Sequence, residues 1–110
     1  MDKTYLKLYR PTMFYFMQNY GLKQQDIEVL MFSYDLLWFT KGYLKEHFHL
    51  GNKYLVHKFP DLIKKNYINI YQPRAHNRAE KYTISQRGKL LVSRYYRVLE
   101  REEYLPGCDL

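Results

Sequence analysis

The sequence predicts a mainly α domain with one small β-hairpin. Three observations carry that prediction. Apolar residues recur at helical spacing through most of the chain. One segment, Tyr67 to Tyr71, switches to period two and is answered by Tyr82 to Ile84 across a polar, basic tip. A chain of 110 residues, 46% apolar, is long enough for one core and one domain.

Each element follows from local signals. The first segment, Tyr5 to Tyr20, is apolar nearly all round, and within it Pro11 can occupy the first turn of a helix that carries Met13, Phe14, Phe16, Met17 and Tyr20 and stops at Gly21. From Lys23 to Phe39, the positions Ile27, Leu30, Met31, Tyr34, Leu37 and Trp38 give a second, core helix. Thr40 is placed to cap a short third helix, with Leu44 and Phe48 four residues apart and Leu50 closing it before Gly51.

Asn52 can cap a fourth helix with Leu55, Val56, Phe59, Leu62 and Ile63 as its buried stripe and Lys53, Tyr54, His57, Lys58, Asp61 and Lys64 outside. Pro60 inside it removes a hydrogen bond and crowds the carbonyl of Val56, so this helix is either kinked or split. Asn66 suits a left-handed stop. After the hairpin, Ser85 caps a last helix running to about Glu103, with Leu90, Leu91, Tyr95, Val98 and Leu99 on one side. Residues 1–103 form the domain and 104–110 a tail.

Composition excludes several classes. Five Gly, four Pro and one Cys rule out collagen-like and disulfide-framework chains and four-cysteine zinc scaffolds. No run of apolar residues is long enough to span a bilayer, and the N-terminus lacks the apolar stretch of a signal peptide, so the expectation is a soluble cytoplasmic protein without membrane association. His47 and His49 would diverge on a helix, leaving no metal pair. No nucleophile with a base, phosphate loop or paired catalytic carboxylates is recognisable, so no enzyme, cofactor or metal is expected.

The net charge of +7 is unevenly placed. Residues 1–52 carry six basic and five acidic groups, whereas residues 53–101 carry twelve basic and three acidic. A half-chain this basic is a footprint for a polyanion, most often nucleic acid. The order helix, helix, short helix, exposed basic helix, hairpin, long helix is that of a winged helix-turn-helix with additional N- and C-terminal helices.

Sequence detail sharpens the comparison. Leu22 and the pair Val29-Leu30 open the second helix; the run Phe59-Pro60-Asp61-Leu62-Ile63-Lys64-Lys65-Asn66-Tyr67-Ile68 closes the fourth; and Arg78-Ala79-Glu80-Lys81-Tyr82-Thr83-Ile84-Ser85-Gln86-Arg87-Gly88 spans the wing, its second strand and the next cap. In these features, from Leu22 to Leu110, the chain resembles the MarR family of bacterial transcription regulators. Asn66 stands where that family has Gly, His76 where it has an acidic residue, and Ile84-Ser85 where it has Leu-Thr.

The resemblance implies sequence-specific binding of double-stranded DNA by a dimeric regulator. The outer face of the fourth helix would enter the major groove with Asn52, Lys53, Tyr54, His57 and Lys58, with Lys64 further on at phosphate. The wing, through Arg74, His76, Asn77, Arg78 and Lys81, would sit beside the minor groove. Thr40, Lys41 and Tyr43 would position a phosphate at the start of the third helix. A homodimer through the N- and C-terminal helices would set two recognition helices in successive grooves. By analogy with the family, the cleft among the first, second and last helices could take a small apolar effector. Two other readings stay open. One is a winged-helix protein-interaction module in a larger assembly, including a viral one; the other is a nucleic-acid-binding protein without sequence preference.

Overall fold

A computed structural model describes the backbone of residues 3–100 and the side chains of residues 9–100. The described helices are α1 (Lys3–Tyr20), α2 (Gln24–Ser33), α3 (Lys41–Phe48), α4 (Asn52–His57), α5 (Phe59–Lys64) and α6 (Gln86–Leu99). Strands β1 (Ile68–Gln72) and β2 (Lys81–Ile84) pair antiparallel between α5 and α6. The mainly helical class with a small hairpin is therefore as expected. The expected end of the last helix near Glu103 and the tail at 104–110 lie outside the described residues.

Helix α1 starts at Lys3, earlier than Pro11 suggested. Proline fixes φ near the helical value, so Pro11 fits inside at the loss of one hydrogen bond. Gly21 ends the helix at φ 65, as its position implied. Helix α2 ends early: Ser33 is buried and its hydroxyl donates back to the carbonyls of Val29 (2.9 Å) and Leu30 (3.3 Å). A hydroxyl bonded to the preceding turn competes with continuation of the helix. The chain then turns, leaving Leu37 71% and Trp38 41% exposed, contrary to the core positions that helical periodicity assigned them. Phe39 forms an antiparallel bridge to Tyr82, with reciprocal backbone bonds of 2.8 Å each. It adds a single-residue third rung on the free side of β2.

Thr40 caps α3 as expected, its hydroxyl accepting from the Tyr43 N–H at 3.0 Å. Gly51, not Asn52, is the residue before α4, and Asn52 is the first helical residue. The fourth helix of the sequence is split. Lys58 (φ −107°, ψ −40°) is the joint, and Pro60 falls in the first turn of α5, where its missing N–H costs nothing. The split rotates the two halves relative to one stripe. Val56 becomes 62% exposed and Tyr54 only 6% exposed, the reverse of the expected pattern.

Asn66 adopts φ 66°, and the Ser85 hydroxyl accepts from the Gly88 N–H at 3.1 Å, both as the sequence implied. On α6, Leu91, Val92, Tyr95, Val98 and Leu99 are buried, whereas Leu90 is 60% exposed, which corrects its place on the stripe. The core joins Phe16, Ile27, Leu30, Phe39, Phe59 and Tyr95, all at most 1% exposed, so α1, α2, α5 and α6 close around one interior.

Candidate nucleic-acid interface

The bridge at Phe39 places the start of α3 beside the tip of the hairpin. Between them opens a cleft of about 580 Å³. Thr40, Lys41 and Gly42 line one wall and Arg74, Asn77 and Arg78 the other, with Tyr82 at the back. Two groups of residues more than thirty positions apart in sequence thus face one space. Lys41, Arg74 and Arg78 give the lining three cations against the one carboxylate of Glu80, and Lys41 and Gly42 are the first two residues of α3.

The hairpin tip is built by a tight reversal. Ala75 and Arg78 exchange backbone hydrogen bonds of 3.3 and 3.0 Å, and Asn77 takes φ 65°. Asparagine tolerates this left-handed conformation better than most residues. Arg74, His76, Asn77 and Arg78 are all exposed around this turn. Glu80, the acidic residue nearest to Arg78 in sequence, accepts from the Tyr82 hydroxyl at 2.5 Å. That bond and burial push the Tyr82 phenol well above its ordinary range, burial being the larger cause. Lys81 is half-buried, with its ammonium 4.0 Å from the Trp38 ring centroid. It is a hairpin brace and not a part of the tip.

On α4 the structure divides the expected set. Asn52, Lys53, His57 and Lys58 are exposed, joined by Val56. Tyr54 is turned inward, where its hydroxyl donates to Oδ1 of Asp26 at 2.6 Å. Asp26 is itself 8% exposed, and its other oxygen accepts from the Lys23 N–H at 3.0 Å. Burial first, and then the Asp26 carboxylate, hold the Tyr54 phenol far above its ordinary pKa. Tyr54 is therefore a strut between α4 and α2, and its expected contact with DNA is withdrawn. Nothing in sequence periodicity marked Asp26 as its partner, 28 residues away.

Lys64 is exposed on α5, a turn and more beyond the α4 face. Its neighbour Lys65 donates to the Gly21 carbonyl at 2.8 Å and ties the end of α5 to the end of α1. Tyr43 is 37% exposed, its ring 4.3 Å from that of His47 and 5.8 Å from that of Phe32 on α2, and it is not among the residues lining the cleft.

A second groove, of about 320 Å³, lies among α1, α2, α3 and α6, lined by Tyr9, Met31, Phe32, Phe48 and Tyr96 with Glu28 at its edge. The cleft expected by analogy with the family lay among the first, second and last helices, and this groove adjoins the same three. Among the described residues, no group of three or more His, Cys, Asp or Glu could hold a metal, and no helix is long and apolar enough to cross a membrane. Neither a family model, nor a curated protein, nor a solved structure matches this chain.

Proposed function

We propose that this chain is a winged helix-turn-helix protein that binds double-stranded DNA and acts as a small dimeric regulator. The observation that carries this reading is the cleft in which Lys41, Arg74 and Arg78 meet the N-terminus of α3. Three cations beside the first turn of a helix, with the one carboxylate of the lining engaged by the Tyr82 hydroxyl, suit a phosphate of the DNA backbone. On α4, the exposed Asn52, Lys53, His57 and Lys58 offer donors to base edges and phosphates, and exposed Val56 offers an apolar contact for a thymine methyl. The wing tip, with its guanidiniums separated by small and polar residues, suits the minor groove. The antiparallel bridge of Phe39 to Tyr82, beside the hairpin, is compatible with that fold.

Dimerisation would use α1 and the far end of α6. Phe14 is 60% exposed on α1 and Tyr9, about 140° round the same helix, is 37% exposed, apolar surface that one copy leaves partly uncovered. Light scattering that returns a monomer at micromolar concentration removes this part of the proposal.

Fluorescence anisotropy of a labelled duplex across a salt series tests the main reading. The parent is expected to bind with a steep salt dependence, and Lys41→Ala and Arg78→Ala each to flatten the slope by about one unit, one phosphate contact being worth roughly 0.9. Variants that bind like the parent remove the cleft from the interface. A parent that prefers no duplex over another is a sequence-independent binder. Failure of the parent to bind at low salt ends the DNA reading. The protein-interaction alternative would then stand on Leu37 and Trp38, the exposed apolar residues ahead of α3.

A further inference from the structure

The two-stranded sheet ends in an open edge. Phe39 takes the far side of β2, so β1 is an outer strand. The direction of its backbone groups follows from its neighbours. The N–H and carbonyl of Tyr82 both bond to Phe39, at 2.8 Å each, and so do not bond to Ile70, the residue opposite. Ser85 donates to the Tyr67 carbonyl at 2.9 Å, which brackets the pair of Ile68 and Ile84 as a second one without bonds between its own members. Such pairs alternate with bonded ones in an antiparallel ladder, so Asn69 bonds to Thr83, whereas Ile68 and Ile70 turn their N–H and carbonyl groups to the open edge. Ile70 is 48% and Tyr71 49% exposed there, and Asn69 is exposed beside them.

Edge strands are commonly guarded by charge, by proline or by a bulge. Residues 66–73 carry no charged side chain, although residues 53–101 around them hold twelve basic groups against three acidic. Pro73 comes after the strand, and the bulge between Ile70 and Gln72 falls beyond the regular stretch 68–70. That stretch is left unguarded.

We propose that the β1 edge pairs antiparallel with the β1 edge of a second copy, about a two-fold axis at Asn69. Ile68 of each copy then exchanges both backbone bonds with Ile70 of the other, which satisfies the outward groups of both strands. The two Asn69 side chains meet on the axis, where their amides can bond to each other. Charge selects the occupant. A chain of net charge +7 repels its like over most of its surface, and the uncharged edge is where two copies can approach, whereas an acidic strand has no cation to meet along residues 66–73. The contact shares no residue with α1, with α4 or with the cleft at the hairpin tip, so it stands or falls apart from DNA binding and from the α1 dimer.

Cysteine cross-linking tests the axis. In the full chain with Cys108→Ser, Asn69→Cys places two thiols on a close antiparallel pair, with Cα atoms about 4.5 Å apart and within reach of a disulfide. Ile70→Cys leaves its own two Cα atoms more than about 7 Å apart, beyond that reach. Mild oxidation should therefore link the first variant several-fold faster than the second, and equal or slower linking overturns the proposal. Sedimentation equilibrium over a concentration series reads the association itself, in a Phe14→Glu chain so that α1 does not contribute. Asn69→Lys, which sets two ammoniums against each other on the axis, should weaken it by about tenfold or more, and the neutral, strand-favouring Asn69→Thr should keep it. Asn69 is exposed, so these changes spare the core, which circular dichroism checks. A chain that stays monomeric to about 1 mM, or Asn69→Lys that associates like the parent, overturns the second copy. So does tighter binding of a synthetic peptide of residues 66–73 carrying Asn69→Glu than of the unaltered peptide, a result that gives the edge to an acidic partner strand.

Discussion

Tyr54→Phe separates a structural tyrosine from a DNA-contacting one. The ring stays, so the packing of a side chain only 6% exposed is kept, and only the hydroxyl that donates to Asp26 at 2.6 Å is removed. Asp26 keeps its bond from the Lys23 N–H but loses the partner of its other oxygen in a site that is 8% exposed. Hydrogen bonds to a charged group contribute about 1.5 to 3 kcal/mol, and the acceptor left behind is poorly hydrated, so the loss should lie in that range. For a domain of this size about 4 °C of melting temperature goes with each kcal/mol, so the midpoint should fall by roughly 6 to 12 °C. Melts followed by circular dichroism on Tyr54→Phe, Asp26→Asn and the double variant measure it, and the double variant should cost less than the two single changes summed. Duplex affinity measured well below the midpoint should be that of the parent. A midpoint within about 1 °C of the parent, or lost DNA affinity with unchanged stability, would refute the strut and return the hydroxyl to the protein surface.

Three further outcomes are expected. Gly88→Ala should destabilise by about 1 to 3 kcal/mol in chemical denaturation despite the better helix propensity of alanine, because the new Cβ would stand 2.6 Å from the Tyr67 carbonyl oxygen and 2.7 Å from Cγ1 of Ile84. Stability should fall as pH rises above 10, the ordinary value for a tyrosine. Tyr54 and Tyr82 have folded-state values above it, so the unfolded chain loses their protons first and the stabilisation present at lower pH drains away, Tyr54 alone giving a slope approaching 1.4 kcal/mol per pH unit. An alkaline titration of unfolding free energy that stays flat to pH 11 contradicts this. His57→Ala should change the ranking of duplexes in anisotropy competition more than the mean affinity, and an unaltered ranking removes His57 from base recognition.

The elements most legible in the sequence were those with local signals. Thr40 and Ser85 carry hydroxyls that cap the next turn, Asn66 tolerates positive φ, and the period-two run ahead of Gln72 has no helical alternative. Less legible were features decided by distant partners. Periodicity carried α2 on to Phe39, but Ser33 folds its hydroxyl back and Phe39 finds Tyr82, so tertiary pairing wins over pattern. Pro60 signalled a break but not its geometry. Once α5 starts afresh at Phe59, Tyr54 and Val56 exchange inner and outer places. For the candidate sites, the cations of the hairpin tip were visible as a basic run, whereas Arg87 and Arg94 of α6 counted only toward the basic half of the chain, because only the fold brings Tyr67 and Tyr20 against them.

The misread segment is also the one that assembles the cleft at the hairpin tip. Phe39 is 1% exposed, its ring 6.2 Å from that of Phe59 and 6.0 Å from that of Tyr82, and those two rings are 5.0 Å apart edge to face. Each ring comes from a different part of the proposed interface. Phe59 begins α5 directly after the exposed α4 face, Tyr82 lies on the strand that leads back from the wing, and Phe39 precedes the Thr40 cap. Aromatic pairs at such distances contribute about 0.5 to 1.5 kcal/mol beyond burial, so the cluster is a rigid hub. With Phe39 bonded at both backbone atoms to Tyr82, the start of α3 is tied to the strand that returns from the hairpin tip. A phosphate site divided between a helix start and a hairpin tip therefore needs no mobile loop to close it. Its preorganisation comes from a core that the chain must build in order to fold at all.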